Sequence, residues 1–202
     1  RGDLSAVVKA IYLDDAARTG QLLKPESFGK LKEPIIRLSN LWRAFAASAI
    51  SGEYDYTYPQ AELEQCPLRA PTVFNFFTPD FSQTGNIQEK ELVSPEFQIH
   101  DETSIVNITN RLYGSTYWYV KGRDDVEDYY ILIDIDKEKE LAADPDALLD
   151  RLNLLLLHGN MSTELRSAVK EMIEFHDPEN TTQRVTEAIF LIMSSPEAAV
   201  QK

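Results

Sequence analysis

Apolar residues recur at helical spacing over most of the chain, which predicts a mainly α, multi-helix domain. Asp3 can cap a first helix, and Gly20 and Pro25 interrupt the pattern that follows it. The apolar face of this helix is made of Leu4, Val7, Val8 and Ile11. We treat residues 1–202 as one helical domain.

A second helix is predicted from about Lys32 to Ser51-Gly52. Pro34 falls in its first turn, where proline is tolerated because the N–H it lacks has no helical acceptor there. The apolar positions recur at intervals of three and four residues, so one face of this helix is predicted to be buried. That face consists of Ile35, Leu38, Trp42 and Phe45.

Three more helix starts are visible in the C-terminal third. Asp144-Pro145 begins a helix that we expect to be central, because its leucines surround most of its circumference. These leucines are Leu148, Leu149, Leu152, Leu155 and Leu156. Ser162 begins the next helix, Thr181 or Thr182 the one after it, and Ser195-Pro196 repeats the same start signal.

The middle of the chain departs from this helical pattern. Residues 53–93 show little regular structure and include a proline-bracketed segment that we predict to be an irregular connector with its phenylalanines in the core. These are Phe74, Phe76, Phe77 and Phe81. Ser94-Pro95-Glu96 predicts one helix running to about Gly114. Residues 117–120 and 129–135 are rich in β-formers around a polar turn, which predicts a small β-hairpin.

Charge and composition narrow the possible partners. Twenty Lys and Arg stand against 33 Asp and Glu, giving a net charge of -13 that repels phosphate backbones and disfavours nucleic-acid binding. No apolar run approaches the roughly 20 residues that span a bilayer, so no membrane span is predicted. The single cysteine, Cys66, excludes an intrachain disulfide and a thiolate metal cage.

Several short sequence motifs, in the same order along nearly the whole chain, carry a family resemblance. They are residues 1–4 (RGDL), 29–34 (GKLKEP), 70–80 (APTVFNFFTPD), 92–99 (LVSPEFQI), 150–156 (DRLNLLL) and 195–197 (SPE). Together they resemble the C-terminal part of the bacterial family catalogued as domain of unknown function 1800. The segment from Tyr117 to Glu140 departs from the family pattern.

The resemblance implies a largely helical, exported bacterial protein with no established activity. It therefore predicts a periplasmic or extracellular location, with this chain as the C-terminal portion of a longer protein. The His- and Trp-rich motifs of the family belong to an N-terminal part that this chain lacks. The implied partners are an exported protein or the missing N-terminal part itself. Members of the family are often encoded beside a second exported family that is similar to sulfatases and alkaline phosphatases.

Two aromatic runs are the candidate ligand or partner surface. Tyrosine and tryptophan suit half-wet interfaces because one end of each side chain is apolar and the other polar, and a flat ring can stack on a sugar. The alternative is an edge strand that packs these rings on the core. The residues are Tyr54, Tyr56, Tyr58, Tyr117, Trp118 and Tyr119.

A second set of polar residues lies near the phenylalanine connector. Asn75, Asp80, Glu96 and His100 are pocket candidates, because a polar pocket there could be completed by residues upstream of Arg1. The alternative for Asn75 and Asp80 is structural, as partners of loop backbone groups.

No metal or cofactor is predicted. The three histidines do not share the spacing of a helical metal pair, and helix-terminal positions explain His100 and His158. The acidic run at 124–128 and 134–138 lacks the glycine and terminal glutamate of a calcium loop, so a solvated acidic face is favoured over a metal site.

These observations favour a binding or assembly module of the cell envelope or secreted fraction. The alternative is a hydrolase acting on an exported polymer or ester, with a site completed by upstream residues. A third possibility is a fragment that only supports the missing half. The sequence shows no convergent nucleophile and base, so it assigns no catalytic residue.

Overall fold

The structure, a computed structural model, describes residues 2–23 and 27–201, and it confirms the mainly α class. The longer helices are α1 (Leu4–Leu13), α2 (Asp15–Leu23), α3 (Pro34–Ala44), α6 (Glu102–Tyr117), α8 (Pro145–Leu157), α9 (Thr163–Phe175) and α10 (Thr181–Ser194). The shorter ones are α4 (Pro59–Leu63), α5 (Asn86–Glu89), α7 (Asp136–Leu141), α11 (Pro196–Ala199) and a 3-10 helix (Pro95–Ile99). Strands β1 (Lys30–Leu31) and β2 (Val200–Gln201) pair antiparallel, with Lys30 opposite Gln201.

The core lies around α8 and α10. Leu148, Leu149 and Leu152 of α8 are fully buried, which confirms the predicted central helix, and α10 packs against α6, α7, α8, α9 and α11. Asp144 caps α8 by accepting hydrogen bonds from the backbone N–H groups of Asp146 and Ala147. Each buried leucine contributes roughly 1.5–3 kcal/mol relative to an exposed one.

A buried arginine joins three helices in this core. Arg184 is 3% exposed; its Nε donates to the carbonyl of Ile173 at 2.8 Å and its Nη1 to the carbonyl of Ala142 at 2.5 Å. Both acceptors belong to helix C-terminal ends, where orphan carbonyls need donors and a positive charge is favoured. Arg184 therefore fastens α10 to the ends of α7 and α9.

The first two helices pack on each other, and α1 contributes no buried residue to this core. Asp3 caps α1 through the backbone N–H of Ala6 at 3.0 Å, as predicted, but the apolar face of the helix is at least half exposed. Gly20 does not end α2; the backbone departs from helical geometry at Thr19, and the helix then continues. The ring of Phe28 fills the space that a side chain at Gly20 would need. Pro25 lies outside the described residues.

Helix α3 ends earlier than predicted, at Ala44 instead of near Ser51-Gly52. Ala46 adopts a positive φ of 43°, which turns the chain out of the helix. The next residues then pair with a β segment, since Ser48 and Leu132 exchange two backbone hydrogen bonds of 3.0 Å. Tertiary pairing overrides the helical pattern here.

The helix predicted from Ser94 is divided into two elements. A 3-10 helix covers Pro95–Ile99, and α6 begins after Asp101, which caps it through the backbone N–H of Ser104 at 2.7 Å. Ser94 does not cap; its hydroxyl instead accepts a hydrogen bond from the backbone N–H of Gln83. Helix α6 continues past Gly114 to Tyr117.

The hairpin predicted between residues 117–120 and 129–135 is wrong in its pairing. Tyr117 belongs to α6, and Val120 forms a parallel bridge with Ile133, a direction that a hairpin excludes. The segment around Leu132 lies between two neighbours, pairing antiparallel with Ser48 on its other side. Residues 119–121 and 131–134 are thus adjacent, although the turn between them is not a hairpin turn.

The prediction that the four connector phenylalanines belong to the core is also wrong. Phe74 is 68% exposed, and Phe76, Phe77 and Phe81 are only half-buried. The connector closes on itself through polar contacts: Ser82 donates to the carbonyl of Leu92 at 2.7 Å. None of the four rings belongs to the buried core cluster of the described residues.

Candidate functional site

A cleft lined by five tyrosines lies between the segment that leads into α4, the middle of α6 and residues 129–131. Its volume is about 250 Å³, slightly below the roughly 300–1,000 Å³ of drug-sized ligand pockets. We call it the tyrosine cleft. Its lining is Tyr56, Tyr58, Tyr119, Tyr129 and Tyr130, together with Asp55, Thr57, Glu62, Arg111 and Ile131.

The parallel pairing described above builds one wall of the tyrosine cleft. The N–H of Ile133 donates to the carbonyl of Tyr119 at 2.9 Å, and the N–H of Lys121 to the carbonyl of Ile133 at 2.9 Å. Because this pairing sets the two segments side by side, the rings of Tyr119 and Tyr130 meet with centroids 4.9 Å apart. Tyr129 extends the same wall, 4.7 Å from Tyr130, and is 47% exposed.

Tyr56 is the fixed ring of the opposite wall. Its hydroxyl donates to Oε2 of Glu62 at 2.6 Å, and its ring meets Trp42 edge to face at 5.7 Å. Burial, followed by the hydrogen bond to the Glu62 carboxylate, raises the pKa of Tyr56 well above its ordinary value. The phenol is therefore neutral at physiological pH and remains a donor.

Arg111 of α6 lies between the two walls. Its Cζ is 4.6 Å from the ring centroid of Tyr56 and 5.3 Å from that of Tyr119, within the range of cation–π attraction. The Glu62 carboxylate approaches its Nε to 3.5 Å without the geometry of a hydrogen bond. That Nε is buried and has no hydrogen-bond partner in residues 2–23 and 27–201.

This combination suits the recognition of hydroxyl-rich rings. Flat tyrosine faces can stack on the C–H face of a ring, and the Glu62 and Asp55 carboxylates can accept hydrogen bonds from hydroxyl groups. The Arg111 guanidinium supplies donors in a fixed planar array. One cation beside two carboxylates gives the cleft no excess of positive charge.

The comparison with protein families covers almost the whole chain. Residues 1–200 match the family described as "Protein of unknown function (DUF1800)". The chain belongs to this family. The match confirms the resemblance drawn from the sequence motifs. No curated protein and no solved structure matches this DUF1800 member.

The six aromatic residues predicted as a surface in this DUF1800 member do not lie together: three line the tyrosine cleft and three do not. Tyr56, Tyr58 and Tyr119 line the tyrosine cleft. Tyr54 is exposed but its hydroxyl donates to the carbonyl of Ala47 at 2.7 Å. Tyr117 stacks on Tyr113 at 4.3 Å, away from the lining of the cleft, and Trp118 is 52% exposed beside Arg123.

Sequence reasoning missed Arg111 and Glu62 as members of the site. Both are charged residues on helices with ordinary solvated-face patterns, so nothing local distinguishes them. Tyr129 and Tyr130 were recognised only as strand formers. The high density of tyrosine in two separate segments is the signal that could have indicated Tyr129 and Tyr130. Two such segments form a common surface when the fold brings them together.

The four pocket candidates do not line the tyrosine cleft, and they do not line two larger cavities, of about 820 and 560 Å³, either. Asn75 occupies a turn with φ of 73°, and Asp80 is exposed. Glu96 is buried with Lys30 at 3.8 Å. His100 is half-buried, its Nε2 has no partner in the described part of the chain, and burial lowers its pKa.

The acidic segment is not one continuous solvated face. Asp124, Asp125 and Asp128 are exposed, but Glu138 is 2% exposed and accepts a hydrogen bond from Nε of Arg151 at 3.0 Å. Within the described ranges, no group of three or more His, Cys, Asp or Glu side chains is arranged to hold a metal ion. None of the described helices combines the length and the apolar character needed to cross a membrane.

Proposed function

We propose that this chain is a carbohydrate-binding module of an exported bacterial protein, and that the tyrosine cleft binds a neutral sugar ring. The export rests on the resemblance to exported members of the family. The binding role rests on the cleft, where stacking faces, hydroxyl acceptors and a guanidinium occur within one small volume.

The observation that carries this proposal is the position of Arg111. Its guanidinium lies against the rings of Tyr56 and Tyr119, and its side chain is only 14% exposed. The guanidinium forms an ion pair with Glu62 at 3.5 Å but makes no hydrogen bond within residues 2–23 and 27–201, so its other N–H donors are available to a ligand hydroxyl group. The walls hold the guanidinium in place, so little side-chain entropy is lost when a ligand binds.

Charge favours a neutral ligand over an acidic one. The whole chain has a net charge of -13, and the cleft itself contains Asp55 and Glu62 beside its one arginine. A polyanion such as a polyuronate meets long-range repulsion before it reaches Arg111. A neutral saccharide meets none, and its hydroxyl groups match both carboxylates and the guanidinium.

The size of the cleft indicates contact with one ring and its substituents. A volume of about 250 Å³ is too small for a long chain to be enclosed, so a polysaccharide would lie across the opening. Tyr58, which is 67% exposed, and Tyr129 stand at this opening and would stack on the neighbouring rings. In the proposed complex, the polymer lies across the opening of the cleft and one of its sugar rings enters the cleft.

Isothermal titration calorimetry with defined oligosaccharides tests this function. The probes are the neutral hexasaccharides of cellulose, starch and chitin, with hexagalacturonate as the acidic comparator. We expect at least one neutral probe to bind more tightly than hexagalacturonate. Arg111→Gln and Tyr58→Ala should each weaken that binding about tenfold, the effect of a lost stacking or charged contact of about 1.4 kcal/mol.

Two exposed residues elsewhere provide matched controls. Arg43→Gln removes an exposed arginine from α3, and Tyr12→Ala removes a tyrosine of α1 that is 73% exposed. Both should leave the affinity unchanged. The proposal would be contradicted if hexagalacturonate bound as tightly as the neutral probes, or if no neutral probe bound. It would also be contradicted if the control variants lost as much affinity as Arg111→Gln and Tyr58→Ala. Any of these results would favour a protein partner for the aromatic surface.

A further inference from the structure

A larger cavity lies on a different part of the molecule from the tyrosine cleft. It has a volume of about 820 Å³ and opens between α3, the C-terminal end of α8 and the segment of α11 and β2. None of the residues that line it lines the tyrosine cleft. We call it the Lys32 cavity, after the lysine in its wall.

Lys32 is unusually buried for a lysine, with 8% of its surface exposed. Its backbone is fixed by a hydrogen bond of 2.7 Å from its N–H to the carbonyl of Ala199. Within residues 2–23 and 27–201, its ammonium group has neither a carboxylate within 4.0 Å nor a hydrogen-bond acceptor. Burial, and then the charge of Arg37, lower the pKa of Lys32.

The carboxylate in the cavity wall is already engaged elsewhere. Glu197 accepts hydrogen bonds from the hydroxyl of Ser162 and, at 2.9 Å, from its backbone N–H. Ser162 is the cap of α9, so the Glu197 charge lies at the positive end of that helix dipole. Each carboxylate oxygen thus accepts a hydrogen bond from Ser162, and neither lies within 4.0 Å of the Lys32 ammonium.

The remaining walls combine apolar and amide groups. Ile36, Leu157 and Val200 supply hydrocarbon surface, while Asn40 and Asn160 supply amide donors. An anion with one charged end and an apolar body matches both kinds of wall. A multiply charged anion is disfavoured by Glu197 and by the net charge of -13, because the described part of the cavity wall offers only one ammonium group to oppose that repulsion.

We propose that the Lys32 cavity binds a small organic monocarboxylate, with its carboxylate paired to the Lys32 ammonium and its hydrocarbon body against Ile36, Leu157 and Val200. This site is independent of the tyrosine cleft. It gives the chain a second ligand of a different chemical class.

The test is an NMR titration of the ¹⁵N-labelled chain with hexanoate and benzoate, and with hexanamide and benzamide as neutral isosteres. We expect a carboxylate to shift the amides of Asn160, Ser162 and Lys32, and the matching amide to bind at least roughly tenfold more weakly. Lys32→Met should weaken carboxylate binding by roughly 30-fold or more, the effect of removing one partner of a buried charge pair. Lys30→Met is the control, because Lys30 lies two residues away but pairs with Glu96.

The proposal would be overturned if a carboxylate and its matching amide bound equally well, or if neither carboxylate shifted the amide signals at the cavity. An unchanged carboxylate affinity in Lys32→Met would also overturn it. Thermal unfolding shows whether Lys32→Met remains folded. If it does not, the comparison of acid with amide in the unaltered chain decides the question alone. Shifts confined to the tyrosine cleft would also overturn it, whatever the outcome for oligosaccharides.

Discussion

The guanidinium of Arg111 lies against the ring of Tyr56, with its Cζ 4.6 Å from the ring centroid, while the Tyr56 hydroxyl donates to Glu62. One tyrosine thus contacts both charges of an ion pair, through its face and through its polar end. This arrangement keeps the arginine in the cleft instead of letting it extend into solvent. The proposed sugar site depends on that fixed position.

The contact between Arg111 and the opposite wall should be measurable as a coupling free energy. A double-mutant cycle with Arg111→Gln and Tyr119→Leu is expected to give about 0.5–1 kcal/mol of favourable interaction, the range of a partly exposed cation–π pair. Urea denaturation of the four proteins supplies the free energies of unfolding. A cycle with Arg123→Gln and Trp118→Leu, a more exposed pair at 5.4 Å, should give less. Zero coupling in the first cycle would place Arg111 outside the cleft in solution.

Stability should fall as the pH rises above about 10. The pKa of Tyr117 is raised to about 12, chiefly by burial, and that of Tyr56 is raised further. In the unfolded chain tyrosine titrates near 10, so between these values the folded state binds more protons than the unfolded state. Their contribution is therefore complete below pH of about 10 and is lost as the pH rises towards the folded-state pKa values.

Urea denaturation at several pH values between about 9 and 11 measures this loss. The slope of the free energy of unfolding against pH should become shallower in Tyr56→Phe and in Tyr117→Phe, since each substitution removes one phenol. Trp118→Phe, which removes a neighbouring aromatic group without a phenol, should keep the original slope. An identical slope in all four proteins would show that neither phenol is shielded from solvent.

Substitution of Arg184, which joins α10 to the C-terminal ends of α7 and α9, should strongly lower the free energy of unfolding. Arg184→Met keeps much of the side-chain volume but leaves the carbonyls of Ile173 and Ala142 without their donors. We expect a loss of about 2–4 kcal/mol in the free energy of unfolding, measured in urea. Arg166→Met, which breaks surface pairs with Asp146 and Asp150, should cost less than about 1 kcal/mol. Similar losses of stability in the two variants would argue against a stabilising role for the buried hydrogen bonds of Arg184.

Two leucines of α8 provide a direct test of the core. Leu152 is fully buried, whereas Leu154 on the same helix is 64% exposed. Leu152→Ala should lower the free energy of unfolding by about 2–5 kcal/mol, because it removes buried surface and leaves a cavity. Leu154→Ala should change it by less than about 0.5 kcal/mol. The reverse order would mean that α8 is rotated about its axis.

Local signals in the sequence predicted much of this fold. Asp3, Asp144, Ser162 and Ser195 each accept a backbone hydrogen bond at the helix start where the capping pattern placed them. A cap depends only on residues two or three positions away, so the sequence alone contains the information. The central position of α8 was likewise readable from leucines around its circumference.

Features that depend on distant parts of the chain were missed. The parallel bridge between Val120 and Ile133 and the antiparallel bridge between Ser48 and Leu132 replace a hairpin that local pattern favoured. Burial of Arg184 follows from two carbonyls that only the packed helices bring together. The tyrosine cleft was predicted in part, through Tyr56, Tyr58 and Tyr119, but its arginine comes from a helix with no distinguishing motif.

The most direct test of the proposed sugar site is an NMR titration of the ¹⁵N-labelled chain with the neutral hexasaccharides of cellulose, starch and chitin. We predict saturable shifts in the amides of residues 55–58, 111, 119 and 129–131 with at least one of them, and their loss in a folded Arg111→Gln variant. No shifts with any of the three, or shifts centred away from the tyrosine cleft, would contradict a carbohydrate site around Arg111.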